Sequence, residues 1–310
     1  MKSLSPILLV LLSVFCLTSF VSSAIALALG VFFALLIGNP DLSLTRTLSQ
    51  KLLAISVIGL GAGMNLDVVT QVGLNGIGYT FFGISFTLVL GFIIGKFLKV
   101  PRDTSLLISS GTAICGGSAI AAVSSAIKPK QEEISVALAT VFILNAIALF
   151  IFPSIGRGLG LTQTQFGLWS ALAIHDTSSV VGATLQYGQT ALSVGTTVKL
   201  ARALWIFPLT MGISLIRNRN RKAKVKQPWF ILGFFVVSAL TTWVPAFHGP
   251  GLQIEALAKR LLVLTLFLIG TGLTRATLRS VGLKPFLMGA ILWAVVATVT
   301  LAAVIEGWVR

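Results

Sequence analysis

His175 and Asp176 stand side by side in the stretch AIHDTSSVVG (173–182), followed at once by the hydroxyls of Thr177, Ser178 and Ser179. An imidazole that titrates near neutral pH, a carboxylate and three hydroxyls can together hold a proton, coordinate a cation or hydrogen-bond an oxyanion. Among the eight acidic residues and two histidines of the chain, these two alone lie near the centre of an apolar run. An ionisable group there costs roughly 2.5–3.5 kcal/mol on insertion scales, so such groups are usually functional and partnered. The plainer alternative is that both hydrogen-bond to their surroundings and pin two helices. A second polar stretch, SSGTAICGGSAI (109–120), carries Gly111, Gly116 and Gly117 with the hydroxyls of Thr112 and Ser118. Its glycines weaken the helix and uncover the backbone, which predicts a discontinuous helix whose freed groups face a ligand; close packing of small residues is the other reading. Lys199 and Arg202 lie one helical turn apart and share a face. Snorkelling to the outer interface is an alternative for Lys199. Arg202 lies a turn deeper, and it is either a counter-charge to Asp176, a clamp on an anionic substrate, or both in turn, because the guanidinium fork suits carboxylate, sulfonate and sulfate. Asn145 is a further polar group inside an apolar run, either part of the coupling machinery or interhelical glue.

The elements that position these groups follow from composition. Of 310 residues 55% are apolar and 10% charged, with a mean hydropathy of +0.98, against about 25% charged in a soluble domain. Lipid is therefore the solvent for most of the chain, read as one integral membrane domain over 1–310. The net charge of +15 does not point to nucleic acid, because the basic residues sit in the gaps between apolar runs, as orientation by the positive-inside rule requires. Run length gives about eleven (ten to eleven) spans, near 6–21, 24–38, 51–69, 75–97, 104–127, 134–155, 164–186, 190–216, 228–246, 257–274 and 285–306. A cleaved signal peptide over the first apolar run is the alternative at the start, but apolar sequence continues to Ile37. Cys16 and Cys115 lie inside apolar runs and suggest neither a disulfide nor a metal site.

The densest basic run, RNRNRKAKVK (217–226), is placed in the cytoplasm. Counting outward puts Arg46, Lys96, Lys99, Arg102, Arg157, Arg275, Arg279 and Lys284 on that side, with Lys128 and Lys130 outside beside Glu132 and Glu133. The amino terminus is then cytoplasmic and the carboxyl terminus outside. At an offset of 209 residues, Gly61-Ala62-Gly63 aligns with Gly270-Thr271-Gly272, Val72-Gly73-Leu74 with Val281-Gly282-Leu283, and Lys51-Leu52-Leu53 with Arg260-Leu261-Leu262. Repeat elements near 51–100 and 259–307 follow, opposite in orientation, a pattern common in secondary transporters.

At Gly38-Asn39, GAGMNL (61–66), GTAICGGS (111–118), Ile174-His175-Asp176 and Lys199-Leu200-Ala201-Arg202, the chain resembles the YeiH-like (UPF0324-type) family of bacterial inner-membrane proteins, to whose members sulfate export is ascribed. GTAICGGS is the most specific of these strings. The family is similar to the bile acid/sodium symporter superfamily, which implies an inverted-repeat fold with crossed discontinuous helices and a moving core. The chain departs from the family pattern after the histidine, with Asp176-Thr177-Ser178-Ser179 in place of a Glu-Val-Ala-Gln-like run, and this bears on substrate choice. The span count also makes the two polar segments parallel, whereas helices related by inversion are antiparallel.

These readings predict an all-α polytopic transporter in the inner membrane that exports a small anion of the sulfate or organosulfonate class by alternating access. Gly111, Thr112, Gly116, Gly117, Ser118, Thr177, Ser178, Ser179, Lys199 and Arg202 are the candidate substrate groups, and His175, Asp176 and Asn145 the candidate coupling groups. The coupling ion is a proton or sodium; the alternative is a sodium-coupled symporter for an organic anion, with Asp176, Thr177 and Ser178 on the sodium. An intramembrane enzyme using His175 and Asp176 is disfavoured, since no nucleophile at motif spacing, zinc-ligand set or phosphate loop is present. No metal or organic cofactor is expected. The partners are the anion, the coupling ion and the bilayer, with a homo-oligomer left open.

Overall fold

The computed structural model describes residues 5–18, 20–63, 66–217, 229–280 and 282–309. Lys2, Met64, Asn65, Val281 and the basic run at 218–226 lie outside them. Every regular element among the described residues is helical: α1 (Ser5–Cys16), α2 (Ser23–Leu36), α3 (Leu42–Leu60) with a 3-10 turn at Gly61–Gly63, α4 (Leu66–Phe97), α5 (Arg102–Ala113), α6 (Gly117–Ile127), α7 (Gln131–Gly158), α8 (Gln163–Ala173), α9 (Thr177–Tyr187), α10 (Gln189–Ala203), α11 (Ile206–Arg217), α12 (Trp229–Trp243), a second 3-10 turn at Pro245–Phe247, α13 (His248–Gly270), α14 (Arg275–Ser280) and α15 (Leu283–Ile305). Segments Gly78–Phe97, Glu132–Gly158 and Leu283–Ile305 are each long and apolar enough to cross a membrane, and Ser5–Cys16, Ile25–Leu36 and Leu232–Trp243 are shorter apolar helices. The chain divides into two compact units, one of Met1–Gln71 with Pro228–Thr277, the other of Val72–Gln227 with Leu278–Arg310.

The first unit is a packed helical block. Its closest approach joins α2 to α13: a Cβ on Gly30 would meet the Phe267 carbonyl at 2.1 Å and the Gly270 Cα at 3.0 Å, so only glycine lets these backbones touch. Asn39 ties the segment after α2 to the end of α13, donating to Thr45 Oγ1 at 2.8 Å and to the Thr271 carbonyl at 3.1 Å. α3 starts well before the expected span, because Asp41 caps it through Leu44 N at 2.9 Å. Arg46 is accordingly helical rather than in a loop. α13 likewise begins at His248, ahead of the expected 257.

The second unit corrects the span reading. Segment 104–127 does not run straight through. α5 ends at Ala113, the backbone turns over Ile114 to Gly116, and α6 returns. Val100, before α5, shares an apolar cluster with Val123, Ala126 and Ile127 at the end of α6. Thr104 Oγ1 donates to Glu133 Oε1 at 3.3 Å, which puts the start of α5 beside the start of α7. Segment 164–186 folds back in the same way. Tyr187, last in α9, donates its hydroxyl to the Leu161 carbonyl at 2.7 Å and stacks on Phe166 of α8 with ring centroids 3.8 Å apart. Laid end to end, the arms of either pair would part these residues by roughly 35 Å. Both are therefore helical hairpins, their arms 11 or 12 residues long.

The hairpins stand at opposite ends of α7. The base of the first meets its beginning through Glu133, and the base of the second meets its end through Arg157, whose Nη2 donates to the Gln186 carbonyl at 2.6 Å. α7 has 28 residues, about 42 Å at 1.5 Å per residue. α10 and α11 form a second long element, interrupted at Leu204 and Trp205: α10 starts at the base of the second hairpin, where Thr190 N bonds Gln163 Oε1 at 2.9 Å, and Ile213 of α11 joins the cluster at the base of the first. Opposed hairpins remove the conflict posed by two parallel broken spans.

Candidate functional site

The tips of the two hairpins meet near the middle of α7. A Cβ built on Gly116 would lie 3.2 Å from Asp176 Cβ and 3.3 Å from Val141 Cγ1. Gly116 is at φ +66° and ψ −122°, a conformation closed to other residues, and it lets the chain reverse directly into α6. The second tip turns through extended Ile174 and Asp176.

Each tip brings together one helix C-terminus and one N-terminus, which leaves carbonyls and N–H groups to be satisfied far from water. The C-termini are closed by the two cations of α10. Lys199 Nζ donates to the Ile174 carbonyl at 2.6 Å and to Ala171 at 3.3 Å. Arg202 Nε donates to the Ala113 carbonyl of the first hairpin at 2.7 Å, and its Nη1 to Leu172 and, at 3.3 Å, Ala171 of the second. Positive charge at helix C-termini is where the backbone dipoles favour it. Lys199 is 0% exposed and Arg202 2%, so Lys199 does not snorkel. Among the described residues Arg202 makes no ion pair with Asp176; its Nε and Nη1 go to carbonyls instead.

The N-termini differ. α9 is capped by Asp176, whose Oδ1 accepts from Ser179 N at 2.7 Å, with Thr177, Ser178 and Ser179 buried in its first turn. α6 has Gly116, without a side chain, at its N-cap, and the Cys115 thiol meets Ser118 and the Ala119 backbone; Gly117 is half-buried and Ser118, next in its first turn, is exposed. Gly111 and Thr112 are buried in the last turn of α5, and Thr112 Oγ1 makes no hydrogen bond.

His175 and Asp176 do not form a hydrogen-bonded pair. The fully buried imidazole turns to Asn145 in mid-α7: Asn145 Oδ1 accepts from His175 N at 3.1 Å and lies 3.2 Å from Nδ1. Because the backbone N–H must donate, the amide oxygen is fixed there, and an acceptor-only oxygen sets the proton on Nδ1. His175 Nε2 and Asn145 Nδ2 are buried without partners. Asn145 thus anchors the second tip. Both cysteines are free and buried, and among the described residues no cluster of His, Cys, Asp or Glu could hold a metal.

The backbone carbonyls of Ala113, Ala171, Leu172 and Ile174 escaped the sequence reading, since a carbonyl has no residue signature. So did the unpartnered hydroxyls of Ser170 and Thr196. A signal for the paired tips was present at an offset of 60: Ala113-Ile114 against Ala173-Ile174, Ser118 against Ser178, Ile120 against Val180 and Ser124 against Thr184.

A family model described as conserved hypothetical protein 698 matches residues 4–289. A UPF0324 membrane protein of Bdellovibrio bacteriovorus is 62% identical over 300 residues, covering 95% of this chain and 92% of its own. One from Geobacter sulfurreducens is 48% identical over 293 residues, 94% of each chain, and one from Bacteroides thetaiotaomicron 48% over 290 residues, 92% of this chain and 87% of its own. No solved structure matches. The match runs through both hairpins, α7 and α10, as well as the first unit, and on that extent and identity the chain belongs to the UPF0324 family of membrane proteins.

Proposed function

We propose that the chain is a secondary active transporter that exports a small oxyanion or organosulfonate across the inner membrane by alternating access, binding it at the hairpin tips. The observation that carries this reading is the difference between the N-termini at the tips: α9 is closed by its own carboxylate, while α6 has a glycine at its N-cap, meets the Cys115 thiol at Ser118 and the Ala119 backbone, and exposes Ser118. With the carbonyls of Ala113, Ala171, Leu172 and Ile174 already engaged by Lys199 and Arg202, the N–H and hydroxyl donors in the first turn of α6 suit an anion. Arg202 Nη2, which forms no hydrogen bond among the described residues, supplies a further donor. Arms of 11 or 12 residues span about 16–18 Å, half of a ~30 Å core, so the site sits at mid-membrane, as carriers of this kind require.

The membrane arrangement we infer is nine crossings, by α1, α2, α3, α4, α7, α10 with α11, α12, α13 and α15, with two re-entrant hairpins, and α5–α7 related to α8–α11 by inversion. Helix lengths of 12, 11 and 28 residues against 11, 11 and a pair of 15 and 12 support the repeat. So does the passage from one unit to the other at residues 71 and 277, close to the 209-residue offset of α3–α4 against α13–α15. Counting hairpins as no crossing keeps the amino terminus inside. It also moves Lys128 and Lys130 to the cytoplasm beside Arg102, and Arg157 outside, which suits the charge rule better. In a variant lacking Cys16 and Cys115, a cysteine at Pro129 is labelled from the cytoplasmic face by an impermeant reagent and one at Thr162 from outside; the reverse would restore eleven crossings.

Transport itself is tested in proteoliposomes with radiolabelled sulfate and a small sulfonate, under a pH jump, with and without sodium. Saturable flux is expected in the parent. Ser118→Asp places a fixed carboxylate where a helix N-terminus tolerates it, so flux falls to background while the unfolding temperature holds. Unchanged flux in that variant, or none in the parent, overturns the reading, and flux that requires sodium favours the organic-anion symporter.

A further inference from the structure

Four carbonyl oxygens, of Ala113, Ala171, Leu172 and Ile174, converge at the ends of α5 and α8, where two helix C-termini add partial negative charge and water is excluded. Freed carbonyls at half-helix ends are the groups on which transporters hold a coupling cation. Here they are already engaged by N–H donors. Lys199 Nζ spans Ala171 and Ile174, and Arg202 joins Ala113 to Leu172 and Ala171, so one guanidinium links both hairpins. Both side chains come from one face of α10 and are fully buried or nearly so. The nearest acidic group in the sequence of the tips, Asp176, has its Oδ1 engaged by Ser179 N. Both side chains are held by carbonyls, and among the described residues neither makes a direct ion pair.

We propose that Lys199 and Arg202 are tethered cations that fill the carbonyl cage at the hairpin tips, so that the protein needs no free sodium there. A sodium ion entering the same cage would meet carbonyls already occupied by N–H donors and the Arg202 guanidinium charge close by in a poorly screening interior, which opposes its binding. The inference deepens the transport reading and rests on it for its meaning in transport, since it removes sodium at these carbonyls as the coupling ion. The cage itself is a matter of binding and can be read without flux.

The test is thermal unfolding of the purified full chain in detergent at constant ionic strength, with sodium, potassium or choline chloride. The parent is expected to unfold at one temperature in all three salts. Lys199→Ala vacates the place beside Ile174; it unfolds at a lower temperature and regains part of the loss saturably with methylammonium or sodium, neither of which shifts the parent. Lys199→Met, which keeps the stem and loses the charge, serves if the alanine variant does not fold, and is expected to unfold lower and to regain nothing, because the thioether still fills the place. Selective stabilisation of the parent by sodium overturns the proposal, as does an alanine variant indifferent to both methylammonium and sodium, or a methionine variant as stable as the parent. Salt-independent unfolding of a parent that carries no anion leaves the cage standing and removes the transport reading instead. Sodium-stabilised unfolding with sulfate flux intact does the opposite.

Discussion

The two hairpins have arms of nearly equal length and tips 60 residues apart, yet they are fastened differently. The second is held on three sides: Asp176 caps α9, Asn145 grips the His175 amide and ring from α7, and Lys199 and Arg202 cover the carbonyls of α8. At the first, Arg202 reaches Ala113, Ile114 N and Gly116 N bond the Ser110 and Gly111 carbonyls, and the Cys115 thiol meets Ser118 and the Ala119 backbone, while the N-cap of α6 is a glycine. The second hairpin has thus engaged its N-cap, the His175 amide and the carbonyls of Ala171, Leu172 and Ile174, leaving Ser170 Oγ and His175 Nε2 without partners, while the first leaves Ser118 exposed at its N-terminus. A matched pair fastened this unequally supports the proposal that the second tip is scaffold and the first faces the ligand.

The largest effect is expected where both hairpins are cut loose together. Arg202→Gln strips the charge from three buried carbonyls; at roughly 1–3 kcal/mol for each unsatisfied group, partly relieved by the amide, the loss is on the order of 3 kcal/mol. Thermal unfolding in detergent reads the stability, and sulfate flux in proteoliposomes is expected to vanish. Arg202→Lys reaches fewer of the carbonyls and should fall between. Parent-like stability in the glutamine variant would mean that the two tips are not joined through this side chain.

Next comes the anchor of the second hairpin alone. Asn145→Leu leaves the buried His175 N–H without its acceptor, at a cost of about 1–3 kcal/mol, while Asn145→Asp keeps an acceptor at the same place and should restore part of it. Hydrogen exchange of the Ile174 and His175 amides rises in the leucine variant, and exchange around Ile114 changes less. Equal loosening of both tips would erase the distinction between a fastened and an open hairpin.

Much of this site was legible in the residues. Glycines at 111, 116 and 117 announced the first break, and an intramembrane His175-Asp176 marked the second. What run length hides is the return of the chain: the apolar residues of two half-length arms add up to one crossing, so 104–127 and 164–186 read as spans. The 60-residue echo between them would have exposed the pairing, but small residues at Ser118 and Ser178 or Ile120 and Val180 carry little weight until two turns are seen between the same neighbours. Lys199 and Arg202 were found by spacing, and their partners were not, because any residue can supply a carbonyl. Asp176 drew attention through its charge, whereas its observed bond is one that any N-cap oxygen makes.

That last point sets the smallest and most discriminating prediction. If Asp176 serves the fold alone, an uncharged side chain with the same acceptor replaces it: Asp176→Asn keeps an oxygen for Ser179 N, and both stability and flux stay close to the parent. Asp176→Ala loses the cap, at about 1 kcal/mol, and leaves α9 as bare as α6, so it should unfold a few degrees lower. If the carboxylate instead carries charge during transport, the asparagine variant separates the two quantities, with parental unfolding and lost proton-driven flux. The pair of substitutions therefore asks whether the second hairpin is closed for structure only, or closed by a group whose charge is also used in the cycle. Reduced flux in the alanine variant alone favours the first answer and leaves the glycine-capped N-terminus of α6 as the anion-facing end of the proposal.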